Sequence, residues 1–121
     1  MPYIIGPQTP THLSMDNGVV QSGILTTTST SADTLVSLAV ATYRSVDYQI
    51  QAVRGTNYNS TTAKVVHDGS NTYMTEFATI NQPAGVATYS SDISGDNIRL
   101  LVYPSSATST TFKVVYTAIK V

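Results

Sequence analysis

Val46-Asp47-Tyr48-Gln49-Ile50-Gln51-Ala52-Val53-Arg54 alternates at every step, with Val46, Tyr48, Ile50 and Ala52 on one side and Asp47, Gln49 and Gln51 on the other. A helix would scatter these apolar residues around its axis, whereas a pleated strand lines them up toward a core and turns the amides and the carboxylate to water. Arg54-Gly55-Thr56-Asn57 supplies a turn, because Gly and Asn tolerate positive φ. A second run, Asn59 to His67, ends at Asp68-Gly69-Ser70-Asn71, the strongest turn signal in the chain. The third run is Thr72 to Ile80, so Val46 to Ile80 reads as a β-meander.

The register of the second hairpin follows from where its charges can sit. A three-residue loop, Asp68 to Ser70, sets Val65 opposite Tyr73 and Lys64 opposite Met74, which keeps Lys64 and Glu76 off the apolar face. A loop one residue longer sets Lys64 opposite Thr75 and puts Glu76 on the side of Val65. The first register is the expectation.

The flanking sequence adds strands to this centre. Thr11 to Gly18 reads as a loop with a tight turn at Asp16-Asn17-Gly18, and Val19 to Thr28 as a strand in which Gly23 suggests a bulge. Thr26 to Asp33 is a Thr/Ser-rich loop or strand edge. Thr34 to Tyr43 offers a weak helical face through Leu35, Leu38 and Ala39. Its alternation of Val36, Leu38 and Val40 with Ser37, Ala39 and Ala41 favours a strand. Val86 to Ile93, Ile98 to Tyr103 and Thr110 to Val121 complete the set. Ile98 to Tyr103 is apolar on both faces, so it lies centrally in a sheet or its second face, with Leu101 and Tyr103, meets a partner. Pro2, Pro7 and Pro10 exclude a helix at the start and leave an extended arm made apolar by Tyr3, Ile4 and Ile5. That arm folds back as an edge strand or reaches a neighbouring subunit. Residues 1–17 are expected as arm and loop, and residues 18–121 as one domain. The spacing of the strands predicts an all-β fold, an antiparallel β-sandwich of jelly-roll-like type.

A chain of 121 residues needs only one such domain. Charged residues make up 11% and the formal net charge is -1, which is not the footprint of a nucleic-acid binder or of a protein held to an anionic membrane. Ser and Thr supply about a quarter of the sequence. A surface so weakly charged has little to keep copies apart, which points to a surface covered by identical copies or by a larger assembly. With no cysteine there are no disulfides, thiolate metal sites or thiol nucleophiles. The N-terminus has neither a basic segment nor an apolar run of signal-peptide length, so export through such a leader is not expected.

From Tyr43 onward the sequence resembles a known family. The segments YRSVDYQIQAVRGTNYNSTTAKVVHDGSNTYMTEF and DISGDNIRLLVYPSSATSTTFKVVYTAIKV, with the VVHDG turn, the SGDNIRLL strand and the SATSTTFKVV ending, cover about two thirds of the chain. They are similar to a small β-rich domain recurrent in virion structural proteins of tailed bacteriophages, notably those of cyanobacteria. In that family the domain is an attached module of tail or fibre proteins. The resemblance implies a structural role and brings no catalytic motif with it.

The residues themselves offer little chemistry. His67 lies at the mouth of the DGSN turn, where a structural role with Asp68 accepting backbone N–H bonds is expected. No G-x-S-x-G or comparable context brings a serine to it. Two distant histidines without cysteine do not make a zinc site. Asp92 and Asp96 with Asn97 form the one calcium-loop candidate, against the plainer role of turn caps. Asn59-Ser60-Thr61 matches a glycosylation sequon. Eight tyrosines without a tryptophan raise glycan stacking, with Tyr43, Tyr48, Tyr58, Tyr73 and Tyr89 as candidates, beside the simpler role of core or interface residues.

The expectation is therefore a non-enzymatic virion protein with no cofactor or metal, assembled in the host cytoplasm. It would be a capsid decoration (cement) protein or a tail-associated accessory protein. Its partners would be itself, as a homo-oligomer and most simply a trimer, and other virion proteins, with Tyr3, Ile4, Ile5, Leu101 and Tyr103 at the interface. The alternative is a carbohydrate-binding module that recognises host surface glycans.

Overall fold

The computed structural model describes residues 12–121. Nine strands follow one another: β1 (His12–Ser14), β2 (Gly18–Thr27), β3 (Asp33–Ala39), β4 (Tyr43–Arg54), β5 (Asn57–His67), β6 (Thr72–Gln82), β7 (Ala87–Ser94), β8 (Asn97–Pro104) and β9 (Thr110–Lys120). They form two antiparallel sheets, one of six strands in the order β1-β2-β9-β4-β5-β6 and one of three in the order β3-β8-β7. What this shares with a jelly roll is the pair of facing sheets. The allocation of six strands to three is its own.

The alternation in β4 does what its period requires. Val46, Tyr48, Ile50 and Ala52 are buried, and their neighbours on β9 and β5 (Phe112, Val114, Tyr116, Ala118, Ala63 and Val65) are buried with them. The three-stranded sheet closes over this layer with Val36, Leu38, Ile98, Leu100 and Val102. Tyr89 of β7 meets Phe112 edge-on, 6.2 Å between ring centres and 87° between planes, a favoured arrangement for two aromatic rings. Arg54 fastens the two layers at one end, donating to the Val86 carbonyl at 3.2 Å and to Ser105 Oγ at 3.0 Å.

Segment 34–43 folds as strand β3 over Asp33–Ala39, so its β-branched residues and alternation outweigh the short helical face. Thr11 to Gly18 is not wholly loop. His12–Ser14 pairs with Val19–Gln21 as β1, joined to β2 by the turn in which Met15 N–H donates to the Gly18 carbonyl at 2.8 Å. No bulge occurs at Gly23. Its pairing with Val114 is unbroken, and a Cβ at that position would stand 3.3 Å from Val114 Cγ1, so the glycine serves close packing.

The β5–β6 register also differs from expectation. Lys64 stands opposite Thr75, Val65 opposite Met74 and Ala63 opposite Glu76. The reason lies in the loop, which uses four residues: Asp68 N–H donates to the Asn71 carbonyl at 3.1 Å, so the ladder closes at His67 and Thr72. Glu76 is thereby turned to the inner side. It is tolerated there because β6 is the edge strand and Glu76 stays exposed, taking hydrogen bonds from Thr61 Oγ1 at 2.9 Å and Thr79 Oγ1 at 3.0 Å. An inward-turned charge also discourages another chain from pairing with that edge.

Candidate functional site

Antiparallel pairing places directly opposed residues on one face, so the outer face of the six-stranded sheet can be written as rows across β2, β9, β4, β5 and β6. One row is Gly18, Ile119, Ser45, Val66 and Tyr73, and the next is Val20, Thr117, Asp47, Lys64 and Thr75. Then come Ser22, Val115, Gln49, Thr62 and Phe77, followed by Ile24, Lys113, Gln51, Ser60 and Ile80. The last row is Thr26, Thr111, Val53, Tyr58 and Gln82.

These rows gather the apolar surface of the protein. Among the described residues, Leu13, Ile24, Tyr58, Val66, Tyr73, Phe77, Ile80, Val115 and Ile119 are exposed on this face, Ile24 at 67% and Ile80 at 66%. Only Met15 and Val121 complete the set of exposed large hydrophobics. Single exposed apolar residues are ordinary, but nine on one sheet face mark a surface meant to be covered.

The face has two unlike parts. At one end Ile119, Val66 and Tyr73 form an apolar band, with a depression of about 330 Å³ lined by Ser45, Val66 and Tyr73 and, from the next row, by Lys64 and Thr75. The row carrying the Lys64–Asp47 ion pair, 3.5 Å long and exposed, separates it from the rest. Beyond that pair lies an open trough of about 580 Å³ lined by Gln49, Gln51, Ser60, Thr62, Lys113 and Val115. It continues into a second depression lined by Gln51, Val53, Tyr58, Ser60, Ile80 and Gln82.

The outer face of the smaller sheet is closed by its own side chains. Arg99 grips Asp92 with two bonds, Nε to Oδ1 at 2.8 Å and the terminal nitrogen to Oδ2 at 2.6 Å, and this holds the Asp92 carboxyl below the usual carboxylate range. Both oxygens of the calcium-loop candidate Asp92 are therefore engaged by a cation. The backbone carbonyl of Asp96 accepts from Val40 N–H at 2.9 Å.

Of the expected interface residues, Tyr3, Ile4 and Ile5 lie outside the described residues. Strand β8 is central in its sheet, and Leu101 is only 6% exposed within the single chain, which leaves it little surface for a partner. Tyr103 is half-buried, with its hydroxyl 3.0 Å from Ser90 Oγ. Among the tyrosines, Tyr48 and Tyr89 are core residues and Tyr43 is half-buried, while Tyr58 and Tyr73 stand on the outer face of the large sheet.

His67 has a structural place. It is buried, its Nδ1 accepts the Gly69 N–H at 3.0 Å and its Nε2 bonds the Tyr43 carbonyl, which fixes the ring's tautomer with the proton on Nε2. Asp68 accepts the Ser70 and Asn71 amides as the turn chemistry implied, and those bonds with that of Tyr73 pull its pKa down to about 2. Asn59 of the sequon is buried, donating to Asn81 Oδ1 at 2.7 Å and accepting from the Tyr89 hydroxyl, so its amide is committed to the interior.

The residues that sequence reasoning passed over are Ser60, Thr62 and Lys113, together with the use of Gln49 and Gln51 beyond being solvated. Their outward orientation was legible from alternation. Their convergence depends on β9 pairing with β4, a contact between distant parts of the chain that no local pattern announces.

The fold is thus an all-β sandwich with one largely apolar, open sheet face. No family model and no curated protein sequence matches the chain. Among solved structures, it is similar to the tailspike protein gp49 of Acinetobacter baumannii bacteriophage Fri1, a capsular polysaccharide depolymerase, with a TM-score of 0.56 and 18% identity over 93% of this chain and 20% of that one. It is also similar to the tailspike protein of Acinetobacter phage vB_ApiP_P1, with a TM-score of 0.50 and 16% identity over 99% of this chain and 25% of that one. The chain spans a quarter or less of the length of these two tailspike proteins, and the likeness is one of fold. Both are phage tail structural proteins, as the resemblance to virion domains implied, though neither is from a cyanophage.

Proposed function

We propose that this chain is a non-enzymatic structural module of a phage virion, tail-associated, that works by packing against copies of itself. The observation that carries the proposal is the gathering of the exposed large hydrophobic residues onto one face of the six-stranded sheet. The likeness in fold to a part of two tailspike proteins favours the tail over a capsid decoration. The apolar band of Ile119, Val66 and Tyr73 is the part of that face suited to a dry contact, and three copies around an axis would each cover a neighbour's band. A stable interface buries roughly 800 Å² per partner, which at ~25 cal/mol per Å² of apolar surface offsets the cost of association.

Sedimentation equilibrium of the purified chain tests this. A trimer is expected, and Val66→Lys together with Ile119→Lys should give monomers with an unchanged far-UV circular dichroism spectrum, since both positions are exposed, and with a melting temperature that no longer depends on protein concentration. A wild-type chain that stays monomeric at the highest soluble concentration overturns the proposal.

A further inference from the structure

We propose that the trough across β9, β4, β5 and β6 is a binding site for an acidic oligosaccharide, one that carries uronic-acid carboxylates. The proposal does not rest on the oligomer, because the trough lies on the far side of the Lys64–Asp47 pair from the apolar band and both can be in use at once.

Hydrogen-bonding state is the first support. The inward polar side chains of β5 are spoken for: Thr61 bonds Glu76 and Thr79, and Asn59 bonds Asn81 and Tyr89. In the trough, the side chains of Gln49, Gln51, Ser60, Thr62 and Lys113 make no hydrogen bond or ion pair among the described residues. They present carboxamides, hydroxyls and an ammonium group side by side on strands paired along both edges, so the backbone that carries them is fixed before any ligand arrives. A dry contact with another protein would leave such groups unpaired unless each met a partner, whereas a chain of sugar hydroxyls supplies donors and acceptors along its length.

The second support is the apolar rim. Tyr58 lines the adjoining depression beside Ser60, and Phe77 stands on the same outer face directly opposite Thr62, outside the lining of both depressions. A pyranose ring is polar at its edge and apolar on its C–H face, and this pairing of amides with rings suits both. The main depression, about 580 Å³, falls within the ~300–1,000 Å³ common for small-ligand sites. The adjoining one shares Gln51 and Ser60 with it, so the whole is elongated, as an oligomeric ligand requires.

Charge selects among saccharides. The lining of both depressions contains one ionic side chain, Lys113, and no carboxylate. Lys64, the other cation in the outer rows, already faces Asp47. A lone unpaired ammonium group over a floor of neutral amides complements an anionic sugar.

The experiment is a titration of the full chain, followed by amide chemical shifts and calorimetry, with hyaluronan and oligogalacturonate hexasaccharides as uronate probes and chitohexaose as the neutral control. Shifts centred on Gln49, Gln51, Ser60, Thr62 and Lys113 are expected with at least one uronate probe. Lys113→Ala should weaken binding about 10-fold, the weight of one charge-assisted hydrogen bond, while Lys120→Ala leaves it unchanged. No shift with either uronate probe, shifts on another face, an unchanged affinity in Lys113→Ala, or equal binding of chitohexaose would each overturn the proposal. Sedimentation of the same sample reads the oligomer separately, so failure of one proposal is not mistaken for failure of the other.

Discussion

The carboxylate of Asp68 reaches across its own turn to Asn71, whose N–H donates to Oδ1 at 2.8 Å. The Ser70 N–H joins it at 3.0 Å, and Oδ2 takes the Tyr73 hydroxyl at 2.9 Å. All three bonds favour the ionised form, so the pKa falls from 3.8 to about 2. A carboxylate depressed on folding contributes stability above its unfolded value and loses it as pH falls, here between 3.8 and about 2. The wild-type melting temperature should therefore drop across that window, and Asp68→Ala should show a lower melting temperature at neutral pH with a shallower acid dependence. Equal acid slopes in the two proteins would show that the cap carries no linkage.

Tyr48 presents the opposite case, a polar atom with no partner. Its ring is fully buried 5.6 Å from that of Tyr116, and its hydroxyl makes no hydrogen bond among the described residues. Tyr48→Phe removes the stranded hydroxyl and keeps the ring, so it is expected to stabilise the fold by about 1 kcal/mol, the lower end of the ~1–3 kcal/mol cost of an unsatisfied buried group. Urea denaturation measures this, and a destabilised variant would refute it. Burial also pushes both Tyr48 and Tyr89 far above the usual phenol pKa of 10.0. A phenol raised on folding contributes stability below its unfolded value that is lost as pH climbs past it. Alkaline unfolding should begin above pH 10, with these two hydroxyls ionising only as the core opens, visible as a cooperative step in tyrosinate absorbance.

Asn59 holds β5, β6 and β7 together with one carboxamide. Its nitrogen donates to Asn81 Oδ1 at 2.7 Å and its oxygen accepts the buried Tyr89 hydroxyl. Asn59→Ala leaves that hydroxyl unpaired and should cost ~2–4 kcal/mol. Adding Tyr89→Phe should recover part of the loss, and a double-mutant cycle with no coupling would place the energy elsewhere.

How far the sequence spoke depended on distance along the chain. Strand β4 could be read from its own residues because one face met the core and the other met water. Segment 34–43 could be read once the β-branched Val36 and Val40 were weighed together with the alternation that Leu38 continues. The register after His67 could not, because Asp68 capping Asn71 added a residue to the loop, and the edge position of β6 allowed Glu76 an inward place. Leu101 was legible as a central-strand residue but not as one sealed within the single chain. The outer face was harder still. Each strand showed its outward side, yet the trough exists only because β9 inserts between β2 and β4 and brings Lys113 beside Gln51.

Gly18 tests that insertion directly. It begins β2 opposite Ile119, and a Cβ built on it would stand 2.6 Å from the backbone carbonyl oxygen of Ala118, closer than real Cβ atoms come to any backbone atom. The neighbouring amides are already committed: Met15 N–H to the Gly18 carbonyl at 2.8 Å and Lys120 N–H to the Asn17 carbonyl at 2.9 Å. Neither strand can yield without breaking one of these bonds. Gly18→Ala is therefore expected to cost ~1–3 kcal/mol, like other overpacked sites, and to raise amide exchange first at Lys120 and Met15. Gly85→Ala is the control, since nothing lies within 4 Å of a Cβ there and that substitution should be close to neutral. If both variants melt alike, β2 and β9 do not meet as closely at Gly18 as the ladder places them.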